Sequence, residues 1–407
     1  MKIIKRQDYI DIWKNLSQEK NMVFLAGPRQ SGKTTLAKDI LKDYPNNLYF
    51  NWDIISDKRK LIEDPYFFED INRKDDSVPL VIFDEIHKYS NWKNYLKGAY
   101  DGFYKDFVFL VSGSGRLDLY QKGGDSLAGR YLMFNLFPFT LSELSEKKRG
   151  LTEFLDDPLS YFKKNKSETS HRIWRDLFEL SGFPEPYTKG TKAFWRKWSQ
   201  NYSKQIIYED IRDMSGIRRV DDVALLFSLL PSKVGSPLSI NNLAGDLGLT
   251  FDTVKNWLQL FDASFLTFRI SPWSKKVTRA ITKEKKIYLF NYPLIEDEGA
   301  RFENMVALEL KKWVNNWNSL GGGVFDLRYI RNKEKEEVDF LITNNQKPFL
   351  LIETKNGDAT PAKSLIDFAQ EINVPAVQLV NRDDIYKLKR SDNTLVVTAY
   401  DWLSSLP

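Results

Sequence analysis

The residues best equipped for chemistry lie in one short stretch, Gly27-Pro28-Arg29-Gln30-Ser31-Gly32-Lys33-Thr34-Thr35. It satisfies the pattern G-x-x-x-x-G-K-[ST] between an apolar run, Met22 to Ala26, and the start of an amphipathic helix, the context a phosphate-binding loop requires. The two glycines let the backbone curl so that successive N–H groups converge on phosphate oxygens, and the helix N-terminus adds its positive dipole end. Lys33 is expected to reach the β- and γ-phosphates of a nucleoside triphosphate, and Thr34 to place its hydroxyl on Mg²⁺. A second apolar run, Leu80 to Phe83, ends in Asp84-Glu85. Asp84 is expected to hold the Mg²⁺ through water, and Glu85 to polarise the attacking water. The run Phe107 to Val111 leads into Ser112-Gly113-Ser114-Gly115, where a serine would sense the γ-phosphate; the spacing leaves Ser112 and Ser114 as alternatives. His87, close behind Asp84-Glu85, reads as a surface or packing residue.

Two other constellations carry weaker chemistry. Leu238 to Leu249 and Thr250 to Leu260 have the grammar of a helix-turn-helix around Gly248. The strand-like runs after it flank Lys275, Lys276, Arg279, Lys283, Lys285 and Lys286, read together as a wing with a basic tip. Thr253, Lys255 and Asn256, with Gln259, could enter a major groove while Lys275, Lys276 and Arg279 neutralise phosphates, although such modules also dock proteins. Near the C-terminus a helical Glu303 precedes Asp339, and Glu353 and Lys355 sit two apart on a strand and so share a face. These carboxylates could converge on one or two Mg²⁺ ions, with Lys355 activating a water. Equally, they could belong to an exposed hairpin.

What must position these residues follows from pattern and composition. Short apolar runs at Leu48 to Trp52, Leu80 to Phe83, Phe107 to Val111 and Tyr131 to Phe134 alternate with helical segments, which predicts an α/β fold with a covered parallel sheet. A short helix within Ile3 to Ser17 should lead into it. From Leu151 to Met214 the period is helical, and Trp195, Trp198, Tyr202 and Ile206 form a core-facing stripe. At 407 residues several domains are expected. A net charge of +5 permits nucleic-acid binding without arguing for it, and with no cysteine and two histidines a thiolate metal site is excluded and a histidine-built zinc site nearly so. No run has the length to span a bilayer, so a cytosolic protein without membrane contact is expected.

Gly27 to Thr34, Asp84-Glu85-Ile86-His87, Val111 to Ser114, Leu127-Ala128-Gly129-Arg130, Phe137-Pro138-Phe139-Thr140 and Gly182-Phe183-Pro184-Glu185-Pro186 together resemble a family of prokaryotic AAA+-type ATPases with a C-terminal domain of unknown function. The resemblance implies an AAA+-like core with an additional strand between the two Walker strands. It also implies an arginine, Arg130 or Arg116, acting in cis or across a subunit interface; a structural ion pair is the alternative for Arg130. Asp339, Glu353-x-Lys355 and Glu303 resemble the PD-(D/E)xK nucleases, a fold that also occurs as inactive platforms. The organisation implied is an AAA+-like core over residues 1–145, a helical lid over 146–215, a winged helix-turn-helix over 216–292 and a restriction-endonuclease-like domain over 293–407. The expected activity is a Mg²⁺-dependent ATPase, a homo-oligomeric ring acting as a motor or remodeller on duplex or branched DNA. The alternatives are a nucleotide switch that docks a protein partner and an ATP-licensed defence nuclease.

Overall fold

A computed structural model describes residues 4–113, 127–145, 150–159, 168–212, 217, 219–274 and 284–407. The chain forms two compact units, residues 1–137 with 263–265, and residues 138–262 with 266–407.

In the first unit β1 (Met22–Ala26), β2 (Asn47–Asn51), β3 (Leu80–Asp84), β4 (Val108–Ser112) and β5 (Tyr131–Asn135) form a sheet in the order β2-β3-β4-β1-β5. Every neighbouring pair is parallel, and β4 is the strand inserted between β1 and β3. Side-chain alternation sorts the strand residues between two cores. Phe24, Phe83 and Phe109 pack with Phe68, Trp92 and Leu96 on one face, and Val23, Leu25, Ile82 and Leu110 pack with Tyr9, Trp13, Leu36 and Ile40 on the other. Burial on both faces is why β1 and β3 read as unbroken apolar runs. Parallel pairing also brings the carboxyl ends of β1, β3 and β4 to one edge. There Gly27 lies so close to Leu136 that a Cβ would stand 2.4 Å from its carbonyl oxygen.

In the second unit the helices Glu168–Leu180, Pro184–Lys189 and Lys192–Gln205 bury Trp195, Trp198 and Tyr202, and the Phe183 ring lies 4.9 Å from those of Trp198 and Tyr202. Two of the motifs behind the family resemblance meet here. The Phe139 N–H donates to Gly182 O at 2.6 Å, and a Cβ on Gly182 would fall 2.1 Å from Phe139 O. The same helices bond to later chain, Trp174 Nε1 to Asn381 and Trp195 Nε1 to Asn291, so the segment read as a lid packs with residues 266–407.

The helices Ile240–Leu247 and Phe251–Ala263 make the helix-turn-helix, with Gly248 left-handed at φ 62° between them and Ser239 and Thr250 as N-caps. β6 (Thr267–Pro272) and β7 (Lys286–Leu289) then pair antiparallel. They continue into a sheet with β8 (Phe325–Arg331), β9 (Glu337–Asn344), β10 (Lys347–Lys355), β11 (Ala376–Val380), β12 (Tyr386–Lys389) and β13 (Thr394–Thr398). Its order is β12-β13-β11-β10-β9-β8-β6-β7, with β6 parallel to β8. The hairpin read as a wing is therefore the edge of the C-terminal sheet. One residue of the basic tip needs correcting: Lys286 is fully buried, because its strand turns it toward the carboxylates of neighbouring elements. Lys275, Lys276, Arg279 and Lys283 lie outside the described residues. Among the described residues no helix is long and apolar enough to cross a membrane.

Candidate functional site

The loop after β1 adopts a conformation most side chains resist. Gly27 (φ 146°), Gln30 (φ 58°) and Gly32 (φ 96°) have positive φ, and the helix Lys33–Leu41 starts directly behind Gly32. Its first-turn N–H groups, which have no partner within the helix, therefore face the curled loop. Lys33 is buried, its Nζ donating to Gly27 O (3.0 Å) and Pro28 O (2.7 Å), so its charge already lies inside the loop that Pro28, Arg29, Gln30 and Ser31 complete. Thr34 and Thr35 are exposed on the first helical turn. Sequence reasoning missed Arg6, which is buried and donates to Ser31 O (3.2 Å) and Phe137 O (2.8 Å), bracing the loop from the N-terminal helix Gln7–Leu16.

Asp84, at the carboxyl end of β3, is 1% exposed. Its Oδ2 accepts from Thr34 Oγ1 (2.8 Å) and Tyr49 OH (2.6 Å), and its Oδ1 accepts from Ser112 Oγ. Of the two serines left open by spacing, Ser112 thus touches Asp84; Ser114 lies outside the described residues. Tyr49 is a second residue that the sequence did not single out. Burial, then the hydrogen bond to Asp84 and that carboxylate's charge, raise its hydroxyl pKa, so it stays a donor. Its only sequence signal is that Tyr49 and Asn51 share one face of β2.

Glu85 follows in a left-handed conformation (φ 57°), its N–H donating to Ser112 O at 2.9 Å. Its Oε2 lies 3.1 Å from Lys88 Nζ and 3.6 Å from Nε2 of His87, which is buried beside it rather than on the surface. Lys88 also reaches Asp53 at 2.6 Å. Against the burial that lowers its pKa, the hydrogen bond to Asp53 and the charge of Glu85 hold the Lys88 ammonium above its ordinary value.

Arg130 sits at the amino end of β5, its carbonyl accepting from Met22 N at the start of β1, and it pairs with Asp101 at 2.7 and 3.1 Å. Five residues of β1 separate that end from the loop, a span of about 16 Å. This excludes the cis role in the described geometry. Arg116 lies outside the described residues. On the helix Phe251–Ala263, Lys255, Asn256 and Gln259 are exposed, and Thr253 is bonded to Thr250.

The C-terminal carboxylates do come together. Asp339 N donates to Glu353 Oε2 (3.2 Å), Lys355 Nζ pairs with Glu353 Oε1 (2.7 Å), and Lys286 Nζ lies 3.1 Å from Glu303 and 3.3 Å from Asp339. Burial first, then the charge of Asp339, pushes the Glu303 and Glu353 carboxyls up to about 7. Among the described residues, however, no group of three or more His, Asp or Glu side chains is disposed to hold a metal ion. The Mg²⁺ that the PD-(D/E)xK resemblance implies does not fit this cluster, because a lysine ammonium stands among its oxygens.

Fold and site together define a P-loop nucleotide-binding protein. Residues 19–145 match the AAA domain family, so the chain carries an AAA-type ATPase core. Residues 171–295 match a domain of unknown function, DUF8612, and residues 298–401 match another, DUF4143. The uncharacterised proteins Rv2008c of Mycobacterium tuberculosis and Mb2031c of Mycobacterium bovis are each 20% identical over 358 residues, 85% of this chain and 73% of theirs. Among solved structures, Drosophila ORC bound to AT-rich DNA and Cdc6 aligns over 70% of this chain and 87% of that one at 11% identity (TM-score 0.25). The S. cerevisiae Hsp104-ADP complex aligns over 79% and 44% at 12% identity (TM-score 0.31).

An AAA core takes up a nucleoside triphosphate, in most cases with a divalent metal, and the residues fit both. The positive-φ loop presents bare backbone, packed so closely on Leu136 that Gly27 has no room for a Cβ. The Thr34 hydroxyl and Asp84 carboxylate are adjoining hard oxygens of the kind Mg²⁺ prefers.

Proposed function

We propose that the protein is a Mg²⁺-dependent ATPase that acts on DNA as a homo-oligomeric remodeller, with its C-terminal sheet as a scaffold. The observation that carries the reading is the junction of Thr34, Asp84 and Ser112, which joins the phosphate loop, β3 and β4 at the sheet edge where Glu85 also lies. Lys33 and the loop N–H groups would hold the phosphates, and Thr34 and Asp84 the Mg²⁺, whose charge would offset that of the phosphates. Glu85 would take a proton from the attacking water once it leaves Lys88. Exposed Lys255, Asn256 and Gln259 on the second helix of the helix-turn-helix support DNA as the partner.

In the test, nucleotide affinity and turnover are measured separately. Lys33→Ala should abolish tight ATP binding, whereas Glu85→Gln should bind ATP and turn over at least about 100-fold more slowly. Full hydrolysis by Glu85→Gln would sink the assignment. For DNA, turnover and gel mobility are followed with single-stranded, duplex and branched substrates. Lys255→Ala with Asn256→Ala should weaken any shift.

A second reading, a nucleotide switch that docks a protein, is favoured by the contacts of Glu85 with Lys88 and His87, which suit a slow resting state. Slow turnover unchanged by every DNA would select it.

A further inference from the structure

Lys286 comes from β7, the outer strand of the hairpin that follows the helix-turn-helix, and its side chain has no exposed surface. Its Nζ lies 2.7 Å from Glu337 Oε1, 3.1 Å from Glu303 Oε1 and 3.3 Å from Asp339 Oδ1. We propose that this ammonium is the resident cation of the carboxylate cluster, standing where a divalent metal would have to stand, and that the C-terminal sheet is a metal-free scaffold rather than a nuclease.

The oxygens themselves carry much of the case. A divalent ion in such a site needs several carboxylate lone pairs at about 2.0 to 2.6 Å. Asp339 Oδ2 accepts from both the N–H and the hydroxyl of Thr354, at 3.0 and 2.6 Å. The two oxygens of Glu353 accept from Lys355 and from the Asp339 N–H. Glu303 Oε1 also accepts from Tyr288 OH at 2.8 Å, and Glu337 Oε2 lies 3.5 Å from Arg331. Donors of this chain thus already engage both oxygens of Asp339, Glu337 and Glu353 and Oε1 of Glu303.

Charge leads to the same conclusion. Glu303, Glu337, Asp339 and Glu353 face Lys286, Lys355 and Arg331, at most four anions against three cations. A divalent ion would reverse that balance beside an ammonium that has no exposed path out, and like charges at such range repel strongly where water is excluded. The cluster also has a positional role. Lys286 ties the hairpin to the helix Glu298–Ser319, which carries Glu303, and to β9, which carries Glu337 and Asp339. Lys355, the lysine that the spacing of the motif singles out, instead serves Glu353 at the margin of the cluster.

The test is a Mn²⁺ titration of the full chain without nucleotide, by calorimetry and thermal melting, on wild type, Lys286→Ala and Lys286→Met, each with and without Asp339→Asn. Wild type should show no Mn²⁺ binding, and no Mn²⁺-induced shift in melting temperature, that Asp339→Asn removes. Both Lys286 variants should melt lower, gain one Mn²⁺ site, recover part of the loss on adding Mn²⁺, and lose that site with Asp339→Asn. The methionine variant keeps the apolar stem should the alanine variant fail to fold. Asp339-dependent Mn²⁺ binding or Mn²⁺-dependent DNA cleavage by wild type overturns the proposal, as does a folded Lys286 variant that gains no Mn²⁺ site.

Discussion

Asp84 and Glu85 are adjacent in sequence, yet their surroundings assign them different work. Asp84 is buried and accepts hydrogen bonds from Thr34, Tyr49 and Ser112, which keep its oxygens aimed at the phosphate loop. Glu85 leaves the strand in a left-handed conformation and meets Lys88, a partly exposed contact. An ion pair of that exposure contributes about 1 kcal/mol or less. Lys88→Ala should therefore raise steady-state ATP turnover, by about five-fold at most, with nucleotide affinity nearly unchanged. A fall in turnover would mean that Lys88 takes part in hydrolysis instead of restraining Glu85.

At the scale of elements, the N-terminal helix acts on the site through Arg6. Losing its guanidinium leaves the Ser31 and Phe137 carbonyls short of a donor, at about 1 to 3 kcal/mol each. Arg6→Ala should weaken ATP binding by about ten-fold and lower the melting temperature, whereas Arg6→Lys should recover only part of both. Affinity unchanged in a folded Arg6→Ala would confine the residue to packing. In the second unit, the helix Glu298–Ser319 presents Glu309, whose Oε1 accepts from Leu141 N at 2.7 Å while Oε2 has no hydrogen-bond partner among the described residues. Burial pushes this carboxyl up to about 8. Between the ordinary carboxylate value and about 8 the folded chain keeps a proton that the unfolded chain has released, so this group lowers stability as pH rises through that window. Glu309→Gln should accordingly show a smaller fall in melting temperature between mildly acidic and mildly alkaline buffer than wild type. An identical fall would remove Glu309 from the account.

For the whole molecule, the position of Arg130 makes the oligomer question concrete. It lies at the amino edge of the parallel sheet and the phosphate loop lies at the carboxyl edge, so any service to ATP must come from another subunit. Arg130→Ala and Lys33→Ala proteins, each inactive alone, should regain ATPase activity when mixed in equal amounts, since about a quarter of the interfaces would then be intact. No recovery at any ratio, with assembly confirmed, would leave Arg130 as the structural partner of Asp101.

Local features of the chain were legible without the fold. The phosphate loop, the strand ending in Asp84, the N-terminal helix and the helix-turn-helix each rest on backbone geometry, capping and periodicity, which a few adjacent residues dictate. Glycines at positive φ and an unbroken apolar run mean much the same in any surroundings. What came from tertiary packing was everything that depends on which strand lies beside which. Sheet order brought Tyr49 and Ser112 to Asp84, sent Arg130 to the far edge, and joined the β6-β7 hairpin to β8. The same joining turned Lys286 from an apparent wing residue into the buried cation among Glu303, Glu337 and Asp339. Such placements depend on chain closures over tens of residues and on the desolvation of charge, and neither leaves a periodic trace in the sequence.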